Sequence, residues 1–341
     1  MEISRPLRGV ITAMITPLID QNTLDHHGLD RLIEHILGGG AHGLFILGTT
    51  GEAPSLTYKL RADLIERTCR QVGGRVPVLV GIIDTAFTES IKLAEKAKMA
   101  GAYAVVASAP YYFPAAQEEL LDYIRDLSAE LPLPLFLYNA PHNTHHALGP
   151  KLVREASAIR NVIGLKDSSA NMIYFHSVCE LMRDRPDFTL LVGPEELMAE
   201  ALLAGGHGGM CGGANFFPKL YVDLYRAASG GDLQCVATLH RKVMAISSTI
   251  YRVGRHDSSY LKGLKCAVSL MGICGDFLAE PFRSFDSQER EQVRKHMAAL
   301  GILAERPVIS GAEMATRHGR PVKAPTSATV REHPAPSLKA K

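Results

Sequence analysis

LPLFLYN at residues 133–139 and NVIGLKD at residues 161–167 are short apolar runs of strand composition, and the longer segment between them has helical character. A strand, a helix and a second strand make a βαβ unit, which forms a parallel sheet because parallel neighbours need a crossover connection. The same unit recurs on both sides. GVITAMITP from Gly9, GLFILG from Gly43, VPVLVGI from Val76 and AYAVVASAP from Ala102 precede it, and FTLLVG from Phe188 and GGMCGG from Gly208 follow. Between the runs, Leu29, Leu32, Ile33, Ile36 and Leu37 share one face at the 3.6-residue period, as do Leu93, Ala94, Ala97 and Ala100. Gly101 and Gly205 stand where helices should stop.

Eight strand–helix pairs predict a (β/α)8 TIM barrel over residues 1–230, since closure buries both strand faces and leaves no free edge. A doubly wound open sheet is the alternative. Three further helical stretches, 232–253, 257–273 and 286–303, predict a C-terminal helical extension over 231–304, packed outside the barrel. From Arg306 the composition turns to Pro, Ser, Thr, Lys and Arg, so 305–341 reads as a disordered tail.

The bulk numbers narrow the function classes. With 46% hydrophobic and 21% charged residues, the 341-residue chain has ample material for a core. A net charge of +2, evenly spread, gives no footprint for nucleic acid or a membrane surface, so the partner is sought among small molecules. No apolar run approaches the roughly 20 residues that span a bilayer. Pro17 and Asp20 break the N-terminal apolar stretch, and no small-residue cleavage site follows it. Six scattered cysteines form no CxxC pair, which suits a reducing, cytoplasmic compartment.

Active sites of such barrels gather at the carboxyl ends of the strands. Four ends carry chemistry: Gly48-Thr49-Thr50-Gly51-Glu52, Pro110-Tyr111-Tyr112, Tyr138-Asn139 and Lys166-Asp167-Ser168. Lys166 follows the apolar NVIGL and should point into the barrel mouth. A desolvated lysine loses its proton more readily, and the neutral amine can attack a ketone to form an iminium. The competing role is a structural ion pair with Glu52 or Asp167. Tyr138 ends the neighbouring strand and can shuttle protons, with Thr49 and Tyr112 extending the relay, or it can simply pack. Gly48, Thr49 and Thr50 offer amides and hydroxyls for a carboxylate, or form a bare tight turn. Gly193 and the Gly-rich run around Met210 leave room for a ligand, or serve packing. His142, His145 and His146 raise a metal cluster as a rival reading, but no carboxylate or cysteine with ligand spacing accompanies them, so no metal is expected. No GxGxxG, Walker or GxSxG element is present.

GTTGE at 48–52, PYY at 110–112, LYNAP at 137–141 and GLKDSS at 164–169 together resemble the dihydrodipicolinate synthase/N-acetylneuraminate lyase family, over roughly residues 5–300. The resemblance implies a pyruvate-class Schiff-base aldolase, a homotetramer built as a dimer of dimers, with no metal or organic cofactor. By this resemblance Lys166 is the Schiff-base lysine and Tyr138 the catalytic tyrosine, Thr49 and Tyr112 complete the proton relay, and Thr50 binds the pyruvate carboxylate. Tyr111 matches an aromatic that packs across the tight dimer interface, and Met210 an apolar residue whose backbone lines the pocket.

One departure bears on the substrate. Where the synthases carry an arginine for the carboxylate of the aldehyde, this chain has Asn143, and a neutral amide cannot replace a bidentate guanidinium. PHNT and KDSS are similar to 4-hydroxy-2-oxoglutarate aldolases, and Tyr-Phe-Pro at 112–114 is similar to 2-keto-3-deoxy sugar acid aldolases. The expected activity is cleavage of a 4-hydroxy-2-oxo acid to pyruvate and an aldehyde. 4-Hydroxy-tetrahydrodipicolinate synthase, condensing pyruvate with aspartate semialdehyde, is the runner-up. A dehydratase using the same imine and a non-catalytic 2-oxo acid or sugar acid sensor complete the set.

Overall fold

Each apolar run becomes a barrel strand: β1 (Gly9–Ala13), β2 (Gly43–Ile46), β3 (Val78–Gly81), β4 (Ala104–Ser108), β5 (Leu135–Asn139), β6 (Val162–Asp167), β7 (Thr189–Val192) and β8 (Gly208–Cys211). In the computed structural model, which describes residues 5–303, all eight pair in parallel and β8 closes onto β1. The sheet is closed, so the open doubly wound alternative is excluded. The anticipated 305–341 tail lies outside the described residues.

The outer ring forms where apolar residues recur at helical spacing. It comprises α1 (His26–Gly38), α2 (Tyr58–Val72), α3 (Phe87–Ala100), α4 (Gln117–Glu130), α5 (Pro150–Ser157), α6 (Met172–Leu181), α7 (Met198–Leu203) and α8 (Pro218–Ser229). Helix α1 buries Leu29, Leu32, Ile33 and Ile36 against the sheet, and the Asp25 side chain caps its start by accepting from the Gly28 amide. Gly101 ends α3 in the left-handed region at φ 86°, which its lack of a Cβ permits. One expected strand is shorter than the run that announced it. β1 stops at Ala13, and the chain continues into a small hairpin of Leu18–Asp20 and Thr23–Leu24, anchored by the buried leucines.

Inside the barrel, Ile11, Phe45, Leu79, Val106, Phe136, Leu191 and Met210 pack into one interior cluster. Parallel partners share a face, so register decides which side chains join it. Between β5 and β6 that register slips by one residue: Leu135 pairs with Val162, but Phe136 pairs with Gly164, and Ile163 is the extra residue of a β-bulge. Beyond the bulge, Tyr138 pairs with Lys166 and Asn139 with Asp167. Without it, Tyr138 would face Leu165 and the lysine would turn toward the helices.

Gly164 makes the bulge possible, since a Cβ there would stand 2.5 Å from the Phe136 ring and 2.7 Å from the Thr189 carbonyl oxygen.

The C-terminal helices are α9 (Leu233–Thr249), α10 (Ser259–Leu270) and α11 (Ser287–Ala299). They do more than pack outside. Lys265 of α10 and Glu52 of the β2 turn form a fully buried ion pair. Lys265 Nζ also donates to the Phe277 carbonyl at 2.6 Å, and Glu52 accepts from the Ala279 amide at 2.8 Å. Burial pulls the Lys265 pKa down, against the opposing pull of Glu52. The extension is thereby fastened to the mouth of the barrel.

Overpacking at the bulge gives a first prediction. Gly164→Ala forces either a barrel side chain or a strand backbone to move, so it lowers unfolding stability by about 1–3 kcal/mol. Urea denaturation checks this; a change within about 0.5 kcal/mol, the range of ordinary surface substitutions, contradicts the packing account.

Candidate active site

The β5–β6 register brings two sequence-predicted residues together. Lys166 and Tyr138 are both buried, and Lys166 Nζ lies 4.3 Å from the Tyr138 ring centre and 5.0 Å from that of Phe45. Neither carboxylate considered as a structural partner neutralises the lysine. Glu52 is taken by Lys265, while Asp167 points to the other face, accepting from Asn139 Nδ2 at 2.8 Å and from the Ser169 hydroxyl at 3.0 Å. Burial holds the Asp167 carboxyl above its usual range, against those hydrogen bonds. Among the described residues Lys166 makes no ion pair.

The Tyr138 phenol is shifted toward ionisation. Burial alone would raise its phenol pKa, but the charge of Lys166 and the nearby Thr49, Ser168 and Lys166 side chains outweigh it, and the net shift is downward. Its hydroxyl lies 3.3 Å from Thr49 Oγ1, so Thr49 joins the pair as expected. The turn after β2 is held by its own backbone: the Gly51 amide donates to the Gly48 carbonyl, that of Glu52 to Thr49, and that of Ala53 to Gly48. The amides of Thr49 and Thr50 find no acceptor among the described residues.

A cavity of about 540 Å³ opens over Tyr138 and Thr49, with Lys166 behind the Tyr138 ring rather than in its wall. Thr49, Thr50, Tyr111, Tyr138 and Asn143 line it, five residues singled out from the sequence. Others are elsewhere. Tyr112 does not reach the relay within the chain: it is 77% exposed and packs edge-on against Phe113, itself 75% exposed, because the loop after β4 turns both rings outward, while Tyr111, also exposed, lines the cavity. Gly48 and Gly193 serve close packing, since a Cβ on the first would meet Phe45 at 2.4 Å and one on the second Ser168 Oγ at 1.9 Å. Met210 belongs to the barrel interior opposite Ile11. Of the three histidines, His146 hydrogen-bonds the Phe113 carbonyl at 2.9 Å, and no metal-sized group of His, Cys, Asp or Glu occurs among the described residues.

The sequence profile of the Dihydrodipicolinate synthetase family matches residues 6–300. The chain belongs to this family. It is therefore a lyase of the aldolase kind, and relatives within the family carry different names. A probable 2-dehydro-3-deoxy-D-pentonate aldolase of Escherichia coli K12 is 30% identical over 298 residues, covering 86% of this chain and 98% of its own. The structure of a dihydrodipicolinate synthase from Bacteroides thetaiotaomicron superposes with a TM-score of 0.85 at 54% identity, covering 87% of this chain and 99% of that one. A prophage protein of the dihydrodipicolinic acid synthase family from Escherichia coli K12, solved in complex with pyruvate, gives 0.82 at 29% identity, over 87% and 100% of the two chains.

On this dihydrodipicolinate synthetase-family barrel, strand-end reasoning misses one whole wall of the cavity. Asp257, Ser258, Tyr260, Leu261, Pro281 and Phe282 come from the C-terminal extension, to which strand alternation assigns no part in the mouth. Tyr260 reaches furthest in, its hydroxyl 3.4 Å from Thr50 Oγ1.

Glu195, after β7, is also more than a loop residue. Its carboxyl is buried, accepting from the Tyr221 and Tyr251 hydroxyls at 2.6 Å each and from the Gly213 amide at 2.7 Å. Burial, reinforced by Glu196, outweighs these bonds and pushes its pKa from 4.5 up to about 7. A raised folded-state pKa means the native state keeps a proton that the unfolded chain releases, so this stabilisation is full below about pH 4.5 and is lost as pH rises through 7. His35, His42 and His207, whose burial lowers their pKa values, act in the opposite sense. Comparing variant with wild type cancels them. Glu195→Gln is expected to gain on wild type by about 1.4 kcal/mol per pH unit between roughly pH 5 and 7, then level off. Urea unfolding of both proteins across that range measures it, and a pH-independent difference would show that Glu195 is ionised throughout.

Proposed function

We propose that this enzyme holds a 2-oxo acid, pyruvate or a derivative of it, as a Schiff base on Lys166 and makes or breaks the bond between its C3 and C4. The observation that carries this reading is the unpaired, buried lysine beside a phenol whose pKa is lowered. An amine without a carboxylate partner is free to add to a carbonyl once a neighbouring base takes its proton. Tyr138 is that base.

Lys166 Nζ adds to the C2 carbonyl, and the resulting carbinolamine loses water as Tyr138 returns a proton to the leaving hydroxyl. In the cleavage direction Tyr138, as phenolate, takes the proton of the C4 hydroxyl. The C3–C4 bond then breaks, its electron pair moves into the iminium, and an aldehyde departs. The enamine takes back at C3 the proton that Tyr138 received, and hydrolysis of the imine by water releases pyruvate and restores the amine. Thr49 relays protons to Tyr138, and Thr50, with the two unbonded amides of the turn, holds the carboxylate. The relative solved with pyruvate supports this choice of acid.

The favoured reaction is reversible cleavage of a 4-hydroxy-2-oxo acid, of the 4-hydroxy-2-oxoglutarate or 2-keto-3-deoxy sugar acid type. Condensation with aspartate semialdehyde is the second reading, supported by the name of the Bacteroides thetaiotaomicron protein at 54% identity. Against it stand Asn143 in the cavity wall and the absence of any Arg, Lys or His among the residues that line it. A charged aldehyde would lose its hydration without gaining a cation, which also puts the sugar acid type ahead of the 4-hydroxy-2-oxoglutarate type, whose aldehyde carries a carboxylate. A pure sensor has no use for a lowered phenol pKa beside a free amine.

The exposed rings of Tyr112 and Phe113, next to Tyr111, support self-association, in keeping with a homotetramer. Six free thiols, with no helix among the described residues long and apolar enough to cross a membrane, support a cytoplasmic setting.

Incubation with pyruvate and borohydride tests the proposal by intact mass. Wild type gains one reduced pyruvyl adduct and Lys166→Arg gains none; an adduct that survives in the variant moves the nucleophile elsewhere. Tyr138→Phe still binds pyruvate but loses about 10²–10⁴-fold in kcat, the worth of a positioned general acid–base. A loss below tenfold removes Tyr138 from the proton transfers.

A further inference from the structure

We infer that Asn139 and Asp167 are a positioning pair for the reaction: the hydrogen bond between their side chains, on the outer face of the barrel, fixes the β5–β6 register that sets the Tyr138 phenol against the Lys166 amine. The inference rests on the Lys166 reading and goes beyond it, since neither residue lines the cavity.

The two residues close their strands. Asn139 is the last residue of β5 and Asp167 the last of β6, and they pair one step beyond Tyr138 and Lys166. Side chains alternate along a strand, so the 2.8 Å bond from Asn139 Nδ2 to Asp167 Oδ1 lies behind the same two strands whose inner face carries the phenol and the amine. Main-chain pairing ends here too, with the Ser168 amide donating to the Asn139 carbonyl at 2.8 Å and the Gly193 amide to the Asp167 carbonyl at 2.6 Å. Ends of elements open most easily, so a side-chain bond at the last rung holds the part of the ladder most in need of it. Asn139 Oδ1 meanwhile accepts from the Leu148 amide at 2.9 Å, which closes the loop that carries Asn143 and Thr144 into the cavity wall.

Burying a carboxylate is costly, which argues against a role as filler. Asn139 and Asp167 are both buried, and burial holds the Asp167 carboxyl above its usual range in spite of the bonds from Ser169 and Asn139. The Tyr174 hydroxyl of α6 is buried without a partner, and burial and the charge of Asp167 raise its pKa, so the carboxylate is turned across the strands rather than toward that donor. The best-attested use of a buried polar pair is to admit a single register. Register is at issue here. Ile163 is the extra residue of the bulge, and with the slip Asn139 meets Asp167. Without it, Asn139 would face Lys166 and Tyr138 would face Leu165. The pair is satisfied in the register that brings amine and phenol together.

Exchange of the C3 protons of pyruvate with D2O reads this rung and needs no aldehyde. Lys166 forms the iminium, and Tyr138 takes a proton from C3 while the C–H electron pair becomes the C2–C3 double bond of the enamine. A deuteron exchanged onto the phenol from solvent then returns to C3. NMR gives the rate at saturating pyruvate, and dividing by the number of sites that borohydride labels removes unfolded protein from the comparison. Asn139→Asp sets two acceptors face to face while keeping the Leu148 bond, and should lower the rate per labelled site by about ten- to a hundredfold, the scale of a misplacement of about 1 Å. Asp167→Ala, which removes the acceptor without adding a charge, should show the same loss and serves where Asn139→Asp does not fold. Asp167→Asn keeps an acceptor for Asn139 and should stay within about threefold of wild type. The double variant N139D/D167N reverses donor and acceptor and should recover to within about threefold as well. A pair that serves stability alone leaves the rate per labelled site unchanged in every variant; that result, or a double variant as slow as Asn139→Asp, overturns the inference. Failure of the underlying reading looks different: wild type then gives no borohydride adduct, and the Lys166 chemistry falls with the pair.

Discussion

The chemistry depends on a one-residue slip. Ile163 is extra in β6, so Lys166 rather than Leu165 lies beside Tyr138 on the inner face of the barrel. A strand has a side-chain period of two, and any odd displacement exchanges its two faces. The bulge does this without disturbing the apolar exterior of the strand, because it falls near the strand's start, where Gly164 leaves room for Phe136 and the Thr189 carbonyl. Beyond it the pairing resumes in step through Asp167 to Val192 of β7. The amine is therefore placed by main-chain hydrogen bonds on both sides, as fixed as the barrel itself.

Placement is of no use if the amine is locked in an ion pair, and the surrounding polar groups prevent that by finding other partners. The bulge sends Asp167 to the outer face, where Asn139 and Ser169 satisfy it. Glu52, close in sequence to Thr49, is held by Lys265 from the far end of the chain. A buried ion pair contributes little net stability, since desolvation cancels most of the attraction. Here the Glu52–Lys265 pair has two other consequences: it removes a competing anion from the lysine and fastens the C-terminal helices over the mouth.

What could be read from the residues follows the same division. Lys166, Tyr138 and Thr49 are legible because each closes an apolar run, and the end of a barrel strand has one orientation available. Tyr111 and Tyr112 are adjacent in a loop, where no periodicity says which ring meets the cavity; both are exposed, and only Tyr111 lines it. Gly193 and Met210 admit both ligand space and packing in the sequence, and a close strand contact for one and an interior side chain for the other fit the packing role. Tyr260 was beyond reach for another reason: it lies in a helix that strand alternation places outside the barrel, and contacts distant in sequence, such as the Glu52–Lys265 pair and the Arg31 bond to the Ile273 carbonyl, bring it to the mouth. The bulge was equally hidden, since Ile163 reads as one more strand residue.

The two halves of the cavity are consequently held by parts of different rigidity. The half over Lys166 is made of strand ends tied into a closed sheet, where a shift of one residue would reverse the side chains. The opposite half is made of the turn carrying Asn143 and of the segment from Asp257 to Leu261, which joins the barrel through side chains and short loops. Substitution in the second half leaves the amine, the phenol and the carboxylate turn in place. Such a division is compatible with a family whose members, at 30% identity to this chain in each case, bear the names of a synthase and of a probable sugar acid aldolase.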